Sequence, residues 1–308
     1  MTTSQSNQLA VLSRPEGNIA YTDEGSGPLV VAMPGMGDLR STYDDLAPAL
    51  VDAGYRVVVA DLRGHGDSDT TFRTHGDDAT GADFLALVEH LGAGPAVLLG
   101  NSMAASAAAW AAAERPELVR GLVLLSPLLR EPGSPAMQRA MRLALRVLLA
   151  RPWGAAFWAS YYSSISKGRS SARHAEHVAA VRQSLREPAH LRSFRDLALA
   201  LDHSVVEARL SDVAAPSLAV VGKLDPDYSD PAAELAWITE TIGSRGVLVD
   251  EVGHYPQHQA PDVVVPAVLD FLAGLPDHPA DNGADGANGA ASGGSDSAGS
   301  VADGGRNA

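Results

Sequence analysis

The chain contains no cysteine, which excludes disulfides, thiolate metal centres and a cysteine nucleophile but leaves the compartment open. Positive charge is scarce: 23 Lys plus Arg stand against 37 Asp plus Glu, a formal net charge of −14. Nucleic acids and anionic membrane surfaces are bound through basic patches, so neither is expected as a partner. The opening Met1-Thr-Thr-Ser-Gln-Ser-Asn-Gln8 has neither a basic stretch nor an apolar run. A secretory signal is therefore not expected, and a cytoplasmic location is. Aromatic residues make up only 5% of the chain, which makes their clustering at Trp153, Phe157, Trp158, Tyr161 and Tyr162 notable.

What is present is an ordinary globular composition, 308 residues with 45% hydrophobic content, enough for one large α/β domain with an insertion or for two modest domains. Two short strands near 9–12 and 18–22, joined by Arg14-Pro-Glu-Gly17, predict an antiparallel edge. From Leu29 onward apolar runs alternate with helical patterns. Residues 29–33 lead into the glycine loop Pro34-Gly-Met-Gly-Asp38 and a helix over 41–52. Residues 55–60 lead into the loop Asp61-Leu-Arg-Gly-His-Gly-Asp-Ser-Asp69 and a helix over 82–91. Residues 96–100 lead through Ser102 into the alanine-rich helix 104–114, and 121–125 form another buried strand. This alternation predicts an α/β fold built on a mostly parallel, doubly wound sheet, whose ligands bind beyond the carboxyl ends of its strands. The glycine loop, the Asp61 loop and Ser102 should then share one edge.

Strand signals vanish over 128–210. Ser134 as N-cap and Pro135 open a helix with Met137, Met141, Ala144, Leu145 and Leu148 on one face and Arg139, Arg142 and Arg146 on the other, and Pro152 ends it. Its arginines rule against a membrane span. The domain reading is a core over 1–127 and 211–276, interrupted by a helical cap over 128–210, with a tail at 277–308 too poor in large apolar groups to fold. The sheet resumes at 216–222, with Asp230 capping the next helix, and ends with a strand over 245–251, the loop Val252-Gly-His-Tyr-Pro256 and a helix over 262–272.

Ser102 sits at a strand-to-helix junction, where a tight turn holds its side chain out and the helix N-terminus aims N–H groups beside it. That suits a nucleophile; the same position also suits an N-cap serine. His254 and Asp225 each follow a strand, and taken alone His254 could be a surface-loop histidine. The order Ser102, Asp225, His254 is the nucleophile–acid–base order of one particular fold, and acyl transfer by serine needs such a base and orienting acid. Asp227 is the alternative acid. A zinc site at His254-x-x-x-His258 is disfavoured by Pro256 and the missing glutamate. Gly35-x-Gly37 lacks the rest of a dinucleotide or phosphate fingerprint, and no cofactor is expected. His174 and His177 read as exposed cap residues.

On these residues the chain resembles the α/β-hydrolase superfamily, its capped esterase-like members in particular, over roughly 12–275. Gly100-Asn-Ser-Met-Ala104 matches the G-x-S-x-G nucleophile elbow with alanine replacing the last glycine. Pro34-Gly-Met-Gly37 corresponds to the family's His-Gly-x-x oxyanion loop with proline in place of histidine. The resemblance implies that the backbone N–H groups of Met36 and Met103 bind the oxyanion. It also implies that Asp61, Arg63 and His65 order a structural loop. Serine at the elbow argues against the dehalogenases and epoxide hydrolases, which use aspartate there. The expected activity is serine hydrolysis of a small ester, lactone or thioester through an acyl-enzyme. The alternatives are meta-cleavage-type carbon–carbon bond hydrolysis, with Arg182 or Arg186 as candidate carboxylate holders, and a small-molecule receptor or pseudoenzyme. The cap aromatics Trp153, Phe157, Trp158, Tyr161 and Tyr162 are candidate pocket residues or cap core.

Overall fold

The apolar runs become eight strands: β1 Ala10–Arg14, β2 Gly17–Glu24, β3 Leu29–Met33, β4 Arg56–Ala60, β5 Ala96–Asn101, β6 Val119–Leu125, β7 Ser217–Gly222 and β8 Arg245–Val249. They form one sheet in the order β1-β2-β4-β3-β5-β6-β7-β8. β1 pairs antiparallel with β2 and β2 antiparallel with β4, the predicted edge, while every later pair is parallel. The computed structural model describes residues 9–131 and 133–276; the first eight residues and the 277–308 tail, both read above, lie outside the described residues.

The helices are α1 Leu46–Asp52, α2 Asp77–Leu91, α3 Met103–Glu114, α4 Pro135–Leu148, α5 Gly154–Ile165, α6 His174–Arg186, α7 Pro188–Ala200, α8 Ser204–Glu207, α9 Pro231–Ile242, α10 Pro256–Gln259 and α11 Pro261–Ala273. β3, β5 and β7 are buried along their whole length, as parallel strands covered on both faces must be. Alternate side chains feed two apolar clusters. Val31, Leu98 and Leu122 join α2 and α3 on one face, and Val30, Leu99 and Val123 join α1 and α11 on the other. Register carries this alternation across the sheet, with Val31 opposite both Val58 and Leu98, and Leu98 opposite Leu122.

Two helices differ from expectation. The helix predicted over 41–52 is broken into a 3-10 turn, Arg40–Tyr43, and α1. Pro48 has no N–H to give Asp44, so regular helix cannot run through it and starts at Leu46, which leaves proline in the first turn. α2 begins five residues earlier than predicted, at Asp77. Its first turn is polar and carries no apolar period, but Asp77 and Asp78 complement the positive end of the helix dipole.

Between β6 and β7 the described residues form α4 to α8 and no strand. Trp158, Val181, Leu185, Leu191 and Phe194 give this segment a small core of its own. Ser134 caps α4 as expected, its Oγ accepting from Met137 N–H, but no residue of α4 is buried. His177 corrects the sequence reading: it is 4% exposed rather than on the surface, because α6 turns it toward the loop after β3, where Asp38 and Ser41 bind both ring nitrogens. His174 is half-buried. No helix among the described residues is long and apolar enough to cross a membrane.

Candidate active site

The loops after β3, β4, β5, β7 and β8 all leave the sheet at its carboxyl edge, as the alternating pattern requires. Ser102 follows β5 with φ 56° and ψ −126°, a conformation L-residues avoid at a cost of about 1–3 kcal/mol and one typical of functional turns. It occupies the N-cap position of α3, yet its side chain makes no capping hydrogen bond. Its backbone N–H is instead held by Leu125 O at 2.9 Å. The elbow closes because Gly100 has no side chain: a Cβ there would stand 2.4 Å from the Ala104 carbonyl. The contact at 104 is made by backbone, while the Ala104 methyl is buried in the core, so alanine in the family's last glycine position leaves the close approach intact.

Asp225, after β7, and His254, after β8, meet at Asp225 Oδ2 to His254 Nδ1, 2.8 Å. Asp227 Oδ2 is farther, at 3.4 Å. Asp225 is buried and bonds inward to Asp227 N–H, so of the two candidate acids it has the better geometry. The His254 backbone is fixed by its N–H to Ile165 O at 3.0 Å and by Asn101 Nδ2 donating to its carbonyl at 3.2 Å. Asn101, the residue before Ser102, thus ties the elbow to the His254 loop, a contact the sequence reading missed. Burial alone would lower the His254 pKa; the carboxylates of Asp225 and Asp227 and the hydrogen bond to Asp225 outweigh it and raise the value to about 9. Asp225, Asp227 and His254 also bring one ligand atom each within 4.8 Å of one another, the grouping of described residues suited to a metal ion.

The loop after β3 packs directly on the elbow, with the site of a Gly35 Cβ only 3.0 Å from Ser102 Cβ. Its conformation is set from several directions. Gly37 N–H donates to His65 Nε2 at 3.0 Å, and His65 Nδ1 bonds to Arg63 O at 2.8 Å, which fixes a neutral tautomer. Burial holds the His65 pKa down to about 4, consistent with that role. From α5, Trp158 Nε1 donates to Gly37 O at 2.8 Å. Asp38, fully buried, takes His177 Nε2 at 2.6 Å and Tyr162 O–H at 3.2 Å. Among the hydrogen bonds of the described residues none is donated by the Met36 or Met103 backbone N–H. Arg63 is bound to Asp83 and Asp61 to Arg40, loop-ordering contacts as the resemblance implies.

The five aromatics separate. Phe157, Trp158 and Tyr161 line a predominantly apolar cavity of about 310 Å³ that also takes in Met36. Tyr162 lies outside it, stacked on Tyr255 at 4.1 Å. Trp153, just before α5, is 50% exposed, donates to Val147 O and does not line the cavity. Arg182 and Arg186 line a separate depression between α5 and α6, away from Met36. Asp38 and His177 had no motif to mark them, and only the fold brings them together.

A family model described as alpha/beta hydrolase fold matches residues 28–261. The 2-(acetamidomethylene)succinate hydrolase of Mesorhizobium japonicum is 25% identical over 256 residues, covering 81% of this chain and 90% of that protein. A thermophilic esterase from Thermogutta terrifontis superposes with a TM-score of 0.72 at 27% identity, over 86% of this chain and 98% of its own. The enol-lactonase of Burkholderia xenovorans LB400 shares the fold, with a TM-score of 0.71 at 20% identity over 86% of this chain and all of its own.

Proposed function

Because the chain belongs to the α/β-hydrolase fold family, we propose that it is a serine hydrolase that cleaves a small carboxylic ester, lactone or thioester through an acyl-enzyme, and that helices α4 to α8 cap its pocket. The observation that carries this reading is the buried His254–Asp225 bond of 2.8 Å, on the same sheet edge as a serine in a strained elbow. Ser102 Oγ attacks the carbonyl carbon and loses its proton to His254 Nε2. Asp225 holds Nδ1–H and stabilises the imidazolium that forms. The carbonyl oxygen becomes an oxyanion facing the Met36 and Met103 N–H groups, donors whose energy is greatest where charge develops. His254 returns the proton to the leaving alcohol or thiol. Water, deprotonated by His254, then attacks the acyl carbon and frees Ser102 and the acid.

This chemistry needs no cofactor and takes a small molecule as its only partner. The hydrolase and esterase names of the relatives support the reaction class, and the apolar cavity beside Met36 supports an acyl or alkyl chain as the bound part. The test is hydrolysis of p-nitrophenyl esters by the wild type and by Ser102→Ala: the variant loses turnover at least about 10³-fold, whereas equal rates would reject the assignment.

A further inference from the structure

The wall of the cavity that takes in Met36 is mostly apolar; besides Gln138, its polar members include Glu131, Arg142 and His203. The mechanism above uses none of the three. Glu131 follows β6, Arg142 lies on α4 and His203 stands between α7 and α8, so three distant stretches converge on one patch. His203 Nδ1 is 2.8 Å from Asp77 Oδ2, and the two side chains are 4% and 0% exposed. Glu131 Oε1 accepts the His203 backbone N–H at 2.5 Å, and Arg142 donates to Leu201 O at 3.2 Å.

A buried histidine–carboxylate pair carries a desolvation cost that well-packed apolar residues would avoid. Fastening residues 201–203 to the start of α2 accounts for the Asp77 bond. It does not account for the ring lying in a cavity wall beside a guanidinium and a carboxylate. The ring nitrogen not bound to Asp77 has no hydrogen bond among the described residues. The hydrogen bond to Asp77 and the Asp77 and Glu131 carboxylates raise the His203 pKa against the effect of its burial, which favours the protonated ring, whose second N–H is a donor.

The patch therefore offers donors from His203 and Arg142 and an acceptor from Glu131. With the ring protonated, the charges of His203 and Arg142 are matched by the two carboxylates of Asp77 and Glu131. A carboxylate ligand would meet Glu131 and an ammonium would meet Arg142, whereas a neutral group that both accepts and donates satisfies the patch. Building on the serine-hydrolase reading, we propose that the substrate carries a hydroxyl on the chain that fills this cavity, received by His203 and Arg142 as donors and by Glu131 as acceptor. The site makes the protein selective for hydroxylated acyl or alkyl esters over plain ones, because a methyl group set against these partly buried donors and the acceptor supplies none of the hydrogen bonds a hydroxyl makes.

The test compares p-nitrophenyl esters of graded chain length, each ending in methyl, hydroxyl or carboxylate. At the length that reaches the patch, kcat/KM for the hydroxyl ester exceeds that of the methyl ester by about tenfold or more, the worth of hydrogen bonds to charged groups, and the carboxylate ester gains nothing. His203→Gln collapses the ratio; Arg142→Met, on a helix that buries none of its side chains, does the same should His203→Gln fold poorly. Ratios near one at every length, or a ratio kept in both variants, overturn the proposal. Calorimetry on Ser102→Ala with the matching primary amides separates this site from the reaction. Tighter binding of the hydroxy-amide by about tenfold supports the patch even if esterase activity fails, and equal binding of hydroxy- and alkyl-amides overturns it.

Discussion

The indole N–H of Trp158 donates to the carbonyl of Gly37 at 2.8 Å, so a residue of α5 grips the loop that presents the Met36 N–H. Asp38, next in that loop, is held by His177 of α6 and Tyr162 of α5. In the proposed mechanism the helical segment would act on the chemistry as well as on the pocket, by fixing the Met36 oxyanion donor before charge develops.

Trp158→Phe keeps an apolar ring in place and removes that one donor. We expect kcat on p-nitrophenyl esters to fall about tenfold, short of the 10²–10³ seen when an oxyanion donor itself is lost. The melting temperature should drop by only a few degrees, since one hydrogen bond is worth about 1 kcal/mol net. A lowered melting temperature with unchanged kcat would make the bond structural only.

The pH–rate profile reads His254. General-base catalysis needs its neutral form, so kcat/KM should rise with pH toward a midpoint near the raised value of about 9 and above the ordinary histidine range. Asp227→Asn removes the carboxylate 3.4 Å from Nδ1 and leaves the Asp225 bond, so the midpoint moves down while activity persists. A midpoint that Asp227→Asn leaves in place would show that Asp227 has no electrostatic hold on the base.

The elbow makes a paired prediction. Gly100→Ala drives a methyl onto the Ala104 backbone and should cost several kcal/mol of stability, beyond the 1–3 kcal/mol of an ordinary overpacked core site. Ala104→Gly should cost only about 0.5–1 kcal/mol from helix propensity and a small lost contact. Comparable costs in urea titrations would mean that the close approach is not what glycine is needed for.

The same pair shows what could be read from sequence and what could not. β3, β5 and β7 were legible because strands buried on both faces are continuous apolar runs, and the Ser102 and Asp225 loops because each follows such a run; the His254 loop follows the short apolar end of the edge strand β8. The consequence of alanine at 104 was not, since it depends on whether backbone or side chain meets Gly100. Asp38 and His177 are 139 residues apart, and no local pattern announces a partner at that separation. The start of α2 was missed because a polar first turn has no apolar period, and the 41–52 helix was overextended because Pro48 lies inside an otherwise helical pattern.

Stability should also depend on pH in a defined way. His177, His203 and His254 are all raised above the ordinary value in the folded chain, in each case by carboxylates that outweigh burial. Between pH 6.5 and about 9 the native state binds more protons than the unfolded state, so this stabilisation is full below about 6.5 and fades as pH rises toward 9. His65 and His258, lowered by burial to about 4, act in the opposite direction: their contribution is present above 6.5 and lost as pH falls toward 4. Melting temperatures should peak between these windows, and a curve still rising at pH 9 would contradict the assignments.

The central claim is that Ser102 is the nucleophile, activated by His254 and Asp225. The most direct measurement is to react the folded protein with a fluorophosphonate and locate the adduct by peptide mass spectrometry. The account predicts one phosphonyl group on Ser102, labelling slowed by orders of magnitude in His254→Ala, and no adduct in Ser102→Ala. An unlabelled Ser102 in the folded wild type, or an adduct on another residue with esterase activity lost alongside it, would contradict the account.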